Sequence, residues 1–222
     1  HTFGLGHSNF LRCDDKASDG PWGTNCKGVE YGGTIDVMGN VDTTSPLSTY
    51  HQWRMGLLDD SQVKQVWQSE VVTLAPSDFS KGIKAIFIRD GKAGYWIEYR
   101  RKTDGVAYKP GLAIYRLDPP PVSAIVSPIP EDGAASEFPS VLGTDFWMLN
   151  LDNYSYTTST FLSGSMTGLT AKFFSGNVSL SAVPSETSAV VTITKKADTT
   201  PPPVPNVIPV DQWRSPSMVI LN

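Results

Sequence analysis

The sequence predicts an α+β fold that is mainly β. A short irregular segment with one helix leads into a β-sandwich-like domain. Three observations predict this. β-rich runs of four to eight residues recur between turn formers across residues 70–198. Only one stretch, 45–58, carries apolar residues at helical spacing. The 222 residues include 19 Gly and 17 Pro, which favours turns and short strands over a helical bundle.

The elements follow in chain order. Residues 1–44 are rich in Gly and Asp, hold both Cys and two of the three His, and show no regular period. In 45–58, Ser45 is the expected N-cap, Pro46 suits the first helical position and Gly56 ends the helix. Leu47, Tyr50, Trp53 and Leu57 would share its inner face. Strands are expected at 71–74, 83–89, 95–100, 112–117, 146–151, 170–174, 177–183 and 189–194. The segment Asp90-Gly91-Lys92-Ala93-Gly94 reads as a hairpin with a longer loop. From Asp198 the chain reads Asp-Thr-Thr-Pro-Pro-Pro-Val-Pro, an extended polyproline spacer. These textures divide the chain into 1–66, a β-rich domain at 67–198, and 199–222 as linker and start of a further module. Residues 70–198 are expected to hold their fold alone.

Composition excludes several roles. Eighteen Lys and Arg against 22 Asp and Glu give a net charge of −4 with no basic block, which argues against nucleic acid as the partner. No apolar run reaches the length of a transmembrane helix. The first residue is His1, and the last, Val219 to Asn222, form an apolar stretch cut mid-element. The chain is therefore expected to be an internal piece of a longer protein.

The informative stretch is His1-Thr2-Phe3-Gly4-Leu5-Gly6-His7-Ser8. Two His six apart point to different faces of a continuous helix. Both can face one ion if the helix stops between them, and Gly4 can adopt the positive φ such a stop requires. This pattern resembles the second half of the metzincin zinc signature, with His1, Gly4 and His7 on its second His, its Gly and its third His. Further along, Glu30-Tyr31-Gly32-Gly33-Thr34-Ile35-Asp36-Val37-Met38-Gly39 resembles the Met-turn of that clan, with Met38 as its Met. Its spacing is most similar to that of the gametolysin-like secreted metallopeptidases. Trp53-Arg54-Met55-Gly56-Leu57-Leu58, Gly94 to Arg100 and Pro110 to Arg116 are similar to the same family, so the likeness spans residues 1–118.

The resemblance implies a zinc ion (Zn2+) bound by His1 and His7 over a hydrophobic floor at Met38, and a parent protein that hydrolyses peptide bonds in extracellular proteins. The first His ligand and the general-base Glu of the signature would stand four and three residues before His1. The residues from His1 onward supply two ligands at most and no catalytic base, so alone they are expected to be inactive.

Cys13 and Cys26 enclose a 12-residue polar loop. A disulfide there would contribute roughly 3 kcal/mol and imply an oxidising compartment, secreted or at the cell surface. The alternative, a second metal site, lacks a neighbouring His. Asp14, Asp15 and Asp19 offer oxygens to calcium, but without EF-hand spacing a solvated acidic loop is favoured. His51 reads as a surface or packing residue, and Asn153 and Asn177 open glycosylation sequons. The rival to the protease is a β-sandwich adhesion or carbohydrate-binding module of a large surface protein, carried by 70–198, the aromatic content and the Pro-rich spacer.

Overall fold

The computed structural model describes residues 4–14, 17–33, 35–39, 45–91, 93–101, 111–126, 146–149, 169–173 and 175–196. His1, Asp15, Asn153 and the spacer from 199 onward lie outside these. The described chain is mainly β with little helix. Its strands are β1 (Ser8–Cys13), β2 (Cys26–Val29), β3 (Val63–Val66), β4 (Glu70–Leu74), β5 (Ala85–Asp90), β6 (Ala93–Arg100), β7 (Gly111–Arg116), β8 (Ile125–Val126), β9 (Phe146–Leu149), β10 (Leu169–Lys172), β11 (Val178–Pro184) and β12 (Ala189–Lys195). The α-helix is α1 (Thr49–Arg54).

Two sheets form. The larger runs β3-β5-β6-β7-β9-β1-β2-β8 and the smaller β10-β11-β12-β4. Between them lies one core, with Ile86, Ile88, Tyr95, Ile97, Leu112 and Ile114 facing Val72, Leu74, Leu180, Val191 and Ile193. A second core covers the opposite face of the large sheet. There Tyr50 and Trp53 of α1 pack with Trp96, Tyr115, Phe146 and Met148. Because both faces are covered, β6 and β7 are buried at every position. Such strands read as continuous apolar runs rather than alternating ones.

The small sheet does alternate. Val178, Leu180 and Ala182 of β11 point inward, and Ser179, Ser181 and Val183 point outward. Along β6 the alternation survives as a change of partner. Tyr95, Ile97 and Tyr99 serve the inter-sheet core, while Trp96 and Glu98 bond Thr49 of α1 and Arg100 bonds the Ile35 carbonyl.

The large sheet runs across residue 66. β1, β2 and β3, from the first segment, share one ladder with β5 to β9. β1 inserts beside β9 in parallel register, Ser8↔Phe146 to Leu11↔Leu149. In that ladder, between β9 and β8, which both belong to residues 70–198, stand β1 and β2. These strands escape sequence patterning because they are short and, through Leu11, buried without a period.

The helix also starts later than its sequence suggests. Ser48 caps α1, its hydroxyl accepting the His51 N–H at 3.2 Å, and Pro46 stands outside it. The backbone N–H groups of Ser48 and Thr49 bond the carboxylates of Asp36 and Glu98, both at 2.6 Å. Two distant acids thus satisfy donors that a helix start leaves open. Gly56 ends the helical turn at φ 74°, and Leu58 rather than Leu57 is buried there. The β5–β6 hairpin is tighter than expected, because Asp90 pairs directly with Ala93.

Candidate functional site

Gly4 has φ 75°, a conformation that side chains rarely adopt. Two residues after Leu5, which is buried, the chain reaches His7 and enters β1. The His7 carbonyl accepts the Phe146 N–H at 3.3 Å, which ties it to β9. Its neighbour Ser8 is held on both sides by the segment that carries Met38. Ser8 N–H donates to the Met38 carbonyl and Gly33 N–H to the Ser8 carbonyl, each at 2.9 Å.

Glycine is required for so close an approach. A Cβ on Gly33 would lie 2.1 Å from Ser8 Oγ and 2.6 Å from Ser8 O, and one on Gly39 would lie 2.2 Å from Gly33 O. The turn itself closes twice. Gly39 N–H donates to Asp36 O at 2.9 Å, and Met38 N–H to the Asp36 carboxylate at 2.7 Å, an Asx-turn. Met38 is half-buried and Val37 exposed.

His7 is gripped from two directions. Its Nδ1 lies 2.9 Å from Glu30 Oε1, and its ring lies 3.8 Å from that of Tyr31, centroid to centroid. Both partners sit in the turn after β2. Tyr31 has φ 55°, unusual for a bulky residue. Gly32 N–H to Val29 O at 3.1 Å and Tyr31 N–H to the Asn9 side chain at 2.9 Å hold it there. Burial lowers the pKa of His7, and the opposing pull of Glu30 does not fully offset it. A neutral imidazole bonded through Nδ1 takes a metal on Nε2, so the donor chemistry of His7 fits zinc.

Beneath this turn lies a buried polar cluster. Asp36 accepts from Ser48 N–H and contacts His51 Nδ1 at 3.1 Å, with both side chains fully buried. Burial works to raise the Asp36 pKa, but His51 and the Met38 and Ser48 bonds outweigh it and hold it down at about 2. Glu98 accepts four bonds at 2.6 Å: from Thr49 N–H and hydroxyl, Arg100 Nε and the Tyr115 hydroxyl. Trp96 Nε1 donates to the Thr49 hydroxyl at 2.9 Å. Arg100 reaches the Ile35 carbonyl. Burial opposes its charge, yet Glu98 raises its pKa above the ordinary guanidinium value. The turn carrying Met38, the start of α1 and the centre of the large sheet are thereby bound into one unit.

Cys13 and Cys26 form a disulfide across the β1–β2 pair. The loop it closes is pinned to the sheet by Arg116. That guanidinium makes a forked pair with Asp118 at 2.6 and 2.7 Å. It also bonds Asp19 at 2.9 Å and lies 4.5 Å over the Trp22 ring. Asp19 further accepts from Gly20 N–H at 2.9 Å and from the Tyr95 hydroxyl. The oxygens of Asp19 therefore serve a cation already in the chain.

Of the expected ligands, His7 is seated beside the Met38 turn, while His1 lies outside the described residues. Among the described residues no three metal-binding side chains cluster, and no helix is long and apolar enough to cross a membrane. No protein family, curated protein or solved structure matches the chain.

Three roles escape sequence reasoning: the bond of Glu30 to His7, the closure of the turn by Asp36, and the burial of His51 against Asp36. Asp36 leaves a signal, standing two residues before Met38 as an Asx-turn acid does. Glu30 leaves one only through the disulfide. The register Cys13↔Cys26, continued through Phe10↔Val29, brings the start of β1 to the turn that holds Glu30.

Proposed function

We propose that the chain is the C-terminal part of a secreted, gametolysin-like zinc metalloendopeptidase that hydrolyses peptide bonds in extracellular proteins. One observation carries the reading. The segment bearing Met38 is stitched through Met38 O and Gly33 N–H to Ser8, the residue next to His7. A Met-bearing turn bonded to the residue that follows the signature's last histidine supports the metzincin resemblance. The Cys13–Cys26 disulfide supports an oxidising compartment.

His1, His7 and a His four residues upstream would hold the metal. Zinc bound there supplies the Lewis acidity for peptide hydrolysis. This chain's own residues position it. Glu30 and Tyr31 orient the His7 ring, Gly4 turns the backbone toward it, and Asp36 shapes the turn that carries Met38. The general base would be the upstream Glu. Behind the site, α1 packs against the large sheet through Tyr50 and Trp53.

The coding sequence upstream of His1 tests this cheaply, since it must supply His and Glu four and three residues before His1. In protein made from the complete coding sequence, His7→Ala should abolish peptidase activity and most zinc binding. A wild-type rate and zinc content in that variant would defeat the reading. The second reading, a non-catalytic carbohydrate-binding module, is favoured by one observation: Trp67 is 61% exposed just before β4. Glycan binding lost in Trp67→Ala, with no peptidase activity in the whole protein, would establish it instead.

A further inference from the structure

We propose that Glu30 is the positioning residue of the metal site: it accepts the Nδ1 proton of His7 and so fixes the tautomer that presents Nε2 to zinc. The inference rests on the zinc reading of His7 and goes beyond it, because the resemblance places Glu30 at the start of the Met-turn stretch but gives it no role.

The local construction is costly for its size, and each part serves one end. The turn after β2 places Tyr31 at φ 55°. A non-glycine side chain in that region is strained. The chain bears this cost through two bonds that fasten the turn to β1 and β2, Tyr31 N–H to Asn9 Oδ1 at 2.9 Å and Gly32 N–H to Val29 O at 3.1 Å. The result is a carboxylate 2.9 Å from Nδ1 and an aromatic face 3.8 Å from the ring centre. One fixes rotation about the ring axis, and the other fixes the ring plane.

Glu30 is itself buried, only 7% exposed, so its bond to His7 is shielded from competing water. A surface ion pair would need neither the strained turn nor the burial. A carboxylate behind a ligating imidazole raises its basicity and holds its orientation, and its loss weakens metal binding by about 10–100-fold.

The test uses protein made from the complete coding sequence. In the metal-free protein, histidine-selective 15N NMR should show His7 as the Nδ1–H tautomer. An Nε2–H tautomer in the wild type would overturn the proposal, whatever any variant does. Zinc affinity is then measured by chelator competition on Glu30→Ala, Glu30→Gln and His7→Ala. Glu30→Ala should weaken zinc by about 10–100-fold and shift the visible bands of the cobalt-substituted protein. Glu30→Gln keeps an acceptor oxygen and should recover much of the loss. If Glu30→Ala binds zinc as wild type while His7→Ala does not, the positioning role fails and the zinc reading stands. If His7→Ala binds zinc as wild type, the zinc reading itself fails and takes this role with it.

Discussion

Replacing Glu98 with Gln should be among the most damaging single changes in the chain. Glu98 and Arg100 are both fully buried. The carboxylate accepts four bonds, from Thr49 twice, Arg100 and Tyr115. An amide removes the charge and turns one oxygen into a donor facing donors. Arg100 keeps the Ile35 carbonyl but loses its carboxylate. Breaking a buried ion pair from one side costs about 3–5 kcal/mol, a large fraction of a typical folding free energy of about 5–15 kcal/mol. For a chain of this size that corresponds to a melting point lower by roughly 6–20 °C. Urea unfolding followed by tryptophan fluorescence is a suitable assay, because Trp96 and Trp53 lie in the same core. The double variant Glu98→Leu with Arg100→Leu should recover part of the loss, since apolar replacement of a whole pair is often neutral. A Glu98→Gln protein within 1 kcal/mol of wild type would refute the assignment of this cluster as the clamp between α1 and the sheet.

Three further outcomes are expected. Asp36, with its pKa held at about 2 against an ordinary 3.8, should contribute about 2 kcal/mol that is fully present above pH 4. This is lost as the pH falls toward 2, so urea midpoints should drop across that window in wild type and stay flatter in Asp36→Asn. Gly33→Ala forces a Cβ against Ser8 O and should cost about 1–3 kcal/mol. Gly4→Ala meets nothing within 4 Å and should cost only the roughly 1 kcal/mol of its backbone, a contrast that melting curves would settle. Deleting residues 1–13 should weaken hydrogen-exchange protection in β9 most, because β1 is its parallel partner; unchanged protection there would show that the two segments are independent after all.

How much of this was legible in the sequence depended on whether the signal was local. The strands at Ala85–Asp90, Ala93–Arg100, Gly111–Arg116, Val178–Pro184 and Ala189–Lys195 announce themselves by β-branched and aromatic runs bounded by turn formers, and their boundaries fall within two residues of expectation. β1 and β2 do not, because their stability comes from partners far along the chain. The start of α1 falls three residues beyond the expected N-cap for the same reason. Its two N–H acceptors, Asp36 and Glu98, come from a loop and a strand that no local rule connects to it. In the candidate site, Gly4, His7 and Met38 stand in a recognisable spacing. The grip of Glu30 on His7 exists only once β1 and β2 have paired.

The pairing of β1 with β9 has a kinetic consequence. Ser8 meets Phe146 and His7 bonds its N–H, a contact that spans most of the described chain. Pairings so distant in sequence close slowly, because the entropy of the intervening loop is lost before the contact is gained. During synthesis at about 5–20 residues per second, β9 emerges on the order of ten seconds after His7. Through that interval His7 can already meet Glu30 across the β1–β2 hairpin but has no β9 to seat against. The hairpin and its disulfide are thus available early, while the wall behind the histidine arrives late.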